Sequence, residues 1–255
     1  MFSFFKFITF INMSASKIIK VNATRSTNDK VKMLIKSKKI LSGDLIVAKH
    51  QYGGRGQRTN KWYSSYGKNL LCSLFYKPLD IKSDRTFLIN QVVSLAVLKT
   101  IRKFNNEKCL IKWPNDILSV NKKIAGILVE NSLSSDKVKH SVIGVGININ
   151  QVFFKSLPNA TSIKKVSNKN IVVENVLKEL IDSYKYYFTK INDIKYINDE
   201  YNQNIYGKEG CKFILNGKKF NGKIISISNT GVIKLNKDSQ EIGNYDSRKV
   251  KLLYD

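Results

Sequence analysis

Histidine and cysteine are nearly missing from this chain, and their scarcity narrows the chemistry before any motif is read. His50 and His140 are the two histidines, neither in an H-E-x-x-H setting, and there is no G-x-S-x-G elbow. Zinc-dependent hydrolysis and a serine triad lose most of their footing. The cysteines, Cys72, Cys109 and Cys211, are odd in number, far apart and without C-x-x-C spacing. Disulfides and a thiolate zinc site are therefore not expected, and no metal ligand set is assigned. Long apolar runs are missing too. The opening "MFSFFKFITFI" is broken by Lys6 and falls well short of the ~20 residues that a membrane helix needs. Residues 1–16 read as an extension, with Met13 opening the folded chain, and the expected location is the cytoplasm.

Acidic residues are also few: 19 Asp and Glu face 44 Lys and Arg, a formal net charge of +25. Such an excess invites a nucleic-acid reading. The lysines, however, are dispersed among asparagines and isoleucines, the pattern expected of drift in an AT-rich genome, and no single element gathers them. No specific nucleic-acid partner is expected, although anionic nucleotides or an acidic protein would be steered to this surface.

What is present begins with length: 255 residues can bury one large core, or one core plus a small module. "RSTNDKVKMLIKS" opens a helix at Ser26, for which N-capping is the plain structural role of Ser26, Thr27 and Asn28. "DLIVAKHQ" and "NLLCSLFYK" read as two strands on either side of a loop, and "RTFLINQVVSLAVLKTIRKF" as a long apolar helix. In "CLIKWPNDILSVNKKIAGILVEN" the pattern is strand, break at Pro114, strand, hairpin turn over Val120 to Lys123, then a strand from Ile124. "HSVIGVGININ" follows as a strand with Gly144 and Gly146 on one face. Helices are expected from Ile171 to about Ile191 and on to Tyr201. After Ile205 the texture changes to short β-runs with an Asn216-Gly217 hairpin signal. The boundaries are thus 1–16, 17–204 and 205–255.

The loop "GGRGQRTNKW" sets three glycines among cations and ends on Trp62. Glycine lets a ligand approach the main chain, so a basic glycine-rich loop suits an anion, and a surface turn is the bland alternative. This loop, "STN" at 26–28, "KWPNDIL" at 112–118 with "KKIAGILVE" at 122–130, and "GVGIN" at 144–148 occur in order. Together they resemble the biotin–protein ligases, over residues from about 17 to the end.

That resemblance implies an α+β fold: a central mixed or antiparallel sheet with helices packed on it, of the class II synthetase-like ligase type, plus a small C-terminal SH3-like β-barrel. It implies an enzyme joining biotin, at the expense of ATP with Mg2+, to one lysine of the biotin carboxyl carrier domain of a carboxylase, as a monomer or homodimer. Ser26, Thr27, Asn28, Gln51, Gly54, Arg55, Gly56, Lys123, Gly126, Leu128, Gly144 and Gly146 fall on the biotin positions. Arg58, Trp62, Lys112, Asn115 and Asn148 fall on the nucleotide side, with Trp62 flanking adenine. Lys123, Lys112, Arg55 and Asp116 carry the catalytic expectation, Asp116 as the group that orients or deprotonates the acceptor amine. Trp113 is expected in the core.

Two departures matter. Gln57, Thr59 and Asn60 interrupt the unbroken basic run that many bacterial relatives carry through the loop, so a weaker hold on the reactive adenylate is expected. Too little sequence precedes Ser26 for a helix-turn-helix repressor domain, so a ligase alone is expected. A lipoate or octanoyl ligase or transferase of the same fold is the nearest alternative, and a basic nucleic-acid-binding protein the alternative from another class.

Overall fold

Seven apolar-rich segments of the first 147 residues pair into one sheet. They are β1 (Ile18–Thr24), β2 (Leu45–Gln51), β3 (Leu70–Tyr76), β4 (Cys109–Lys112), β5 (Asp116–Ser119), β6 (Lys122–Ser134) and β7 (Lys137–Ile147), in the spatial order β1-β2-β3-β7-β6-β5-β4. The parallel β1–β2 pair makes an otherwise antiparallel sheet mixed. This computed structural model describes residues 17–253 apart from 79, 156 and 238–240. The expected extension, 1–16, lies outside the described residues.

β3, "LLCSLFY", is buried along its whole length because helices cover both faces of the sheet. On one side lie α2 (Phe87–Phe104) and α4 (Val173–Thr189), and on the other α1 (Thr27–Lys36). α2 is buried around most of its circumference, being held between the sheet and α4, and this explains its nearly continuous apolar sequence. Shorter helices, α3 (Ile163–Ser167) and α5 (Ile194–Gln203), complete this part. None of the helices among the described residues is long and apolar enough to cross a membrane.

The expected turn over Val120 to Lys123 is corrected. The turn is Val120 and Asn121 alone, both left-handed with φ of 48° and 57°, and β6 already begins at Lys122. Within β6 the register then slips: Leu118 faces Lys123 while Ile117 faces Ala125. One extra residue, Ile124, bulges, and strict alternation is broken there. Lys123 consequently shares a face with Gly126, as the closeness of its Cε and Nζ to that glycine shows.

The C-terminal strands β8 (Cys211–Leu215), β9 (Lys218–Ile227), β10 (Ile233–Lys237), β11 (Glu241–Tyr245) and β12 (Val250–Leu252) form a curled antiparallel half-barrel in the order β11-β10-β9-β8-β12. Asn216 and Gly217, both at positive φ, turn β8 into β9 as the Asn-Gly pair predicts. This sheet docks on the rest of the chain through buried contacts. Trp113 is buried, as expected, and its Nε1 donates to the Gly231 carbonyl at 3.1 Å. Asn202 of α5 bonds both backbone groups of Ile227.

Candidate active site

Five segments of the chain meet on the α1 side of the sheet. The start of α1 brings Ser26, Thr27 and Asn28, the end of β2 brings Gln51, the glycine-rich loop brings Arg55, Gly56 and Trp62, β6 brings Lys123, Gly126 and Leu128, and β7 brings Gly144 and Gly146. Of the residues expected around biotin, Gly54 alone does not line this pocket; it sits just behind it, its carbonyl accepting from Trp62 N.

One end of the pocket is neutral and densely bonded. Ser26 is the N-cap residue of α1, but its side chain makes no cap bond. The helix thus starts at Ser26 as expected, but without a capping bond from its hydroxyl. Thr27 donates through both N and Oγ1 to Gln51 Oε1, at 2.7 and 2.9 Å. Behind it, Ser73 Oγ lies 2.7 Å from Thr27 Oγ1 and 2.6 Å from Asn28 Oδ1. Asn28 Nδ2 donates to Glu130 Oε2 at 2.8 Å and to the Leu128 carbonyl at 3.3 Å. All four residues except Gln51 are almost fully buried, so these partners are what make burying them tolerable.

The glycines of β7 make room for this arrangement. A Cβ on Gly144 would stand 2.4 Å from Asn28 Oδ1, and one on Gly146 would stand 2.5 Å from Trp62 Cε2. The space that alternation opened is thus shared between the start of a helix and an indole. Trp62, expected beside the nucleotide, lies instead among the residues expected for biotin, with its ring over Gly126 and Gly146. About 40 Å³ of free space is left, enough for a few waters. Larger hollows exist, of about 430 Å³ beside β1 and about 680 Å³ beside α5, but neither is lined by any residue expected at the site.

The other end is charged. Lys123 Nζ is 2.7 Å from Asp116 Oδ1, and Lys112 Nζ is 3.8 Å from Asp116 Oδ2. Lys123 Nζ also stands 5.5 Å from the centre of the Trp62 ring. Burial pushes the Lys112 amine below its ordinary range; Asp116 opposes that and the nearby Lys123 and Lys251 reinforce it. Two cations share one carboxylate, so this end has a surplus positive charge suited to an anion.

Other residues expected at the site make contacts within the protein. Arg55, expected over the ligand carboxylate, puts its guanidinium 2.6 Å from Asp29 Oδ1 and 3.0 and 3.1 Å from the two Glu130 oxygens. Lys32 joins at 2.6 Å from Glu130 Oε1. Burial alone would raise the Glu130 carboxyl, but hydrogen bonds from Lys32, Asn28 and Arg55 outweigh it and hold it below the ordinary range. Arg58, expected on phosphates, has φ of 58° and donates to the Ser247 carbonyl of the C-terminal module at 2.8 Å. Asn115 spends its amide on the Ile127 carbonyl at 2.8 Å. Asn148 Nδ2 donates to Thr161 O, and its buried Oδ1 has no hydrogen-bond partner. Ser73, Asp29, Lys32 and Glu130 were not picked out from the sequence. The one signal for Ser73 is a hydroxyl in an otherwise apolar strand.

Residues 21–148, half of the chain, match the model of the Biotin/lipoate A/B protein ligase family, and the chain belongs to that family. It is similar to the "Bifunctional ligase/repressor BirA" of Bacillus spizizenii, 35% identical over 202 residues that cover 76% of this chain and 61% of that protein. It is also similar to the "Biotin--[acetyl-CoA-carboxylase] ligase" of Mycobacterium tuberculosis, 28% identical over 63% of this chain and 61% of the relative. The chain thus spans about 61% of the length of these curated relatives. Among solved structures, a biotin protein ligase from Aquifex aeolicus in complex with biotin and ATP superposes with a TM-score of 0.78 at 23% identity, covering 94% of this chain and 99% of that one. That likeness concerns the fold.

Proposed function

We propose that this protein is an ATP-dependent biotin–protein ligase. The observation that carries the reading is the pocket itself: family motifs separated by some hundred residues converge on a neutral hydrogen-bonding end and a cationic end. Biotin fits such polarity, having a polar ureido ring at one end and a carboxylate at the other. Ser26, Thr27 and Gln51 take the ring. Gln51 Oε1 already accepts twice from Thr27, so its Nε2 serves as the donor to the ligand.

At the cationic end, Lys123 and Lys112 receive the biotin carboxylate and the α-phosphate of ATP. A carboxylate oxygen attacks the α-phosphorus, pyrophosphate leaves, and biotinyl-5′-AMP forms. The acceptor lysine amine then attacks the anhydride carbonyl and AMP leaves. Lys123 offsets charge on both anions as they approach. Asp116, held by two lysines, orients that pair. The alternative is the role the resemblance implies, in which Asp116 orients the acceptor amine or takes its proton. Mg2+ would come as the counter-ion of the ATP phosphates. Asn148, with its orphaned carbonyl, suits the nucleotide side.

We read 17–204 as the catalytic region and 205–255 as its module, acting in the cytoplasm, as a monomer or homodimer, on the carrier domain of a carboxylase. The free thiols Cys72, Cys109 and Cys211 support that compartment. Purified protein with ATP, Mg2+ and biotin is expected to exchange pyrophosphate into ATP and to label a carrier domain. Labelling with lipoate but not with biotin would overturn the assignment.

A further inference from the structure

Charge counting separates two cation groups of this site. Lys112, Lys123 and Asp116 sum to one surplus positive charge. Arg55 and Lys32 against Asp29 and Glu130 sum to zero, with every side chain in a short contact. An anionic ligand lowers the energy of the first group. It gains little from the second, where it would have to displace a carboxylate already bonded to the guanidinium.

Within the loop, Gly56 N donates to Asn60 O at 2.7 Å and Trp62 N to Gly54 O at 3.0 Å, which shapes a small hairpin. Gly53 N donates to Arg25 O at 2.9 Å and Arg58 to the Ser247 carbonyl at 2.8 Å, but neither bond reaches the pocket walls. Arg55 supplies that link. Its guanidinium joins the loop to α1 through Asp29 and to β6 through Glu130, the same strand that carries Lys123 and Gly126.

We propose that Glu130, with Asp29, is a positioning residue that seats the glycine-rich loop through Arg55, so that the Arg55 guanidinium serves as a strut for the loop and not as a ligand for biotin. The proposal deepens the biotin-ligase reading and rests on it only for the choice of ligand.

Two ideas about Arg55 give opposite signs. If Glu130 seats the loop, Glu130→Gln loosens it and weakens biotin binding. If Glu130 instead competes with biotin for Arg55, Glu130→Gln releases the guanidinium and binding tightens. The experiment measures tryptic cleavage after Arg55, Arg58 and Lys61 in the ligand-free protein, together with biotin affinity by calorimetry, for wild type, Glu130→Gln, Arg55→Met and the double variant. The strut predicts cleavage of the ligand-free Glu130→Gln protein on the order of tenfold faster, and affinity on the order of tenfold weaker. It also predicts that the double variant binds no worse than either single one, since both break the same link.

Unchanged cleavage, or biotin affinity equal to or tighter than wild type in Glu130→Gln, overturns the proposal. So do additive losses in the double variant. Should Glu130→Gln fail to fold, Asp29→Asn removes the other half of the seat, with the same sign expected at smaller size. A wild-type protein that does not bind biotin would refute the functional reading, while the cleavage ratio in ligand-free protein would still decide the strut.

Discussion

The two ends of the pocket solve different problems. At the neutral end, Thr27, Gln51, Asn28 and Ser73 are bonded to one another before any ligand arrives, mostly in deep burial. At the charged end, the amines of Lys112 and Lys123 both stand beside the carboxylate of Asp116. A neutral group left without a partner costs free energy and is paired in advance, whereas a charge that must meet an incoming anion is better left under-compensated. Under the proposed function, recognition falls to one end and chemistry to the other.

Lys123→Ala tests that division most severely. Pyrophosphate exchange should fall by roughly 10²–10³-fold, while the melting temperature stays close to wild type. Near-normal exchange in the folded variant would remove Lys123 from the chemistry and erase the contrast. Thr27→Val acts at the opposite end. It deletes the hydroxyl between Gln51 and Ser73, and the KM for biotin should rise by about tenfold with kcat little changed. A loss confined to kcat would show that the two ends are not separable.

Asp116→Asn sharpens the comparison within the charged end. If Asp116 orients the lysines, the variant should slow exchange several-fold and leave transfer from supplied biotinyl-5′-AMP nearly untouched. A defect in transfer alone would restore Asp116 to the acceptor amine. The smallest effect concerns acid. Because the Glu130 carboxyl is held below its ordinary 4.5 in the folded chain, its contribution is present above that value and is lost as pH falls through the lower native one. The gap in melting temperature between wild type and Glu130→Gln should therefore close on acidification, and a gap that persists in acid would place the effect outside this carboxylate.

Much of this architecture could be read from residues. Alternation and the Asn216-Gly217 pair gave the strands apart from β1, which was not read from the sequence, and the ordered motifs gave the pocket lining. Three features could not be read. The bulge at Ile124 places Lys123 and Gly126 on one face although they are three apart, and periodicity of two forbids that until the extra residue is seen. Asp29 and Glu130 lie about a hundred residues apart and become partners of Arg55 only through the fold. Trp62 fills the expected biotin space because neighbouring glycines leave it room, and a sequence says which residue is large but not where it rests without its ligand.

The position of Trp62 has a spectroscopic consequence. The chain has two tryptophans. Trp113 is sealed in the core with 2% exposure, where its emission has no reason to change on binding. Trp62 lies in the pocket beside a lysine ammonium, and under the proposed function biotin is expected to shift it from the little space that remains. Intrinsic fluorescence is thus split between a constant background and one indole whose surroundings change on occupancy, and a plain titration of unlabelled protein reports the filling of the site in real time.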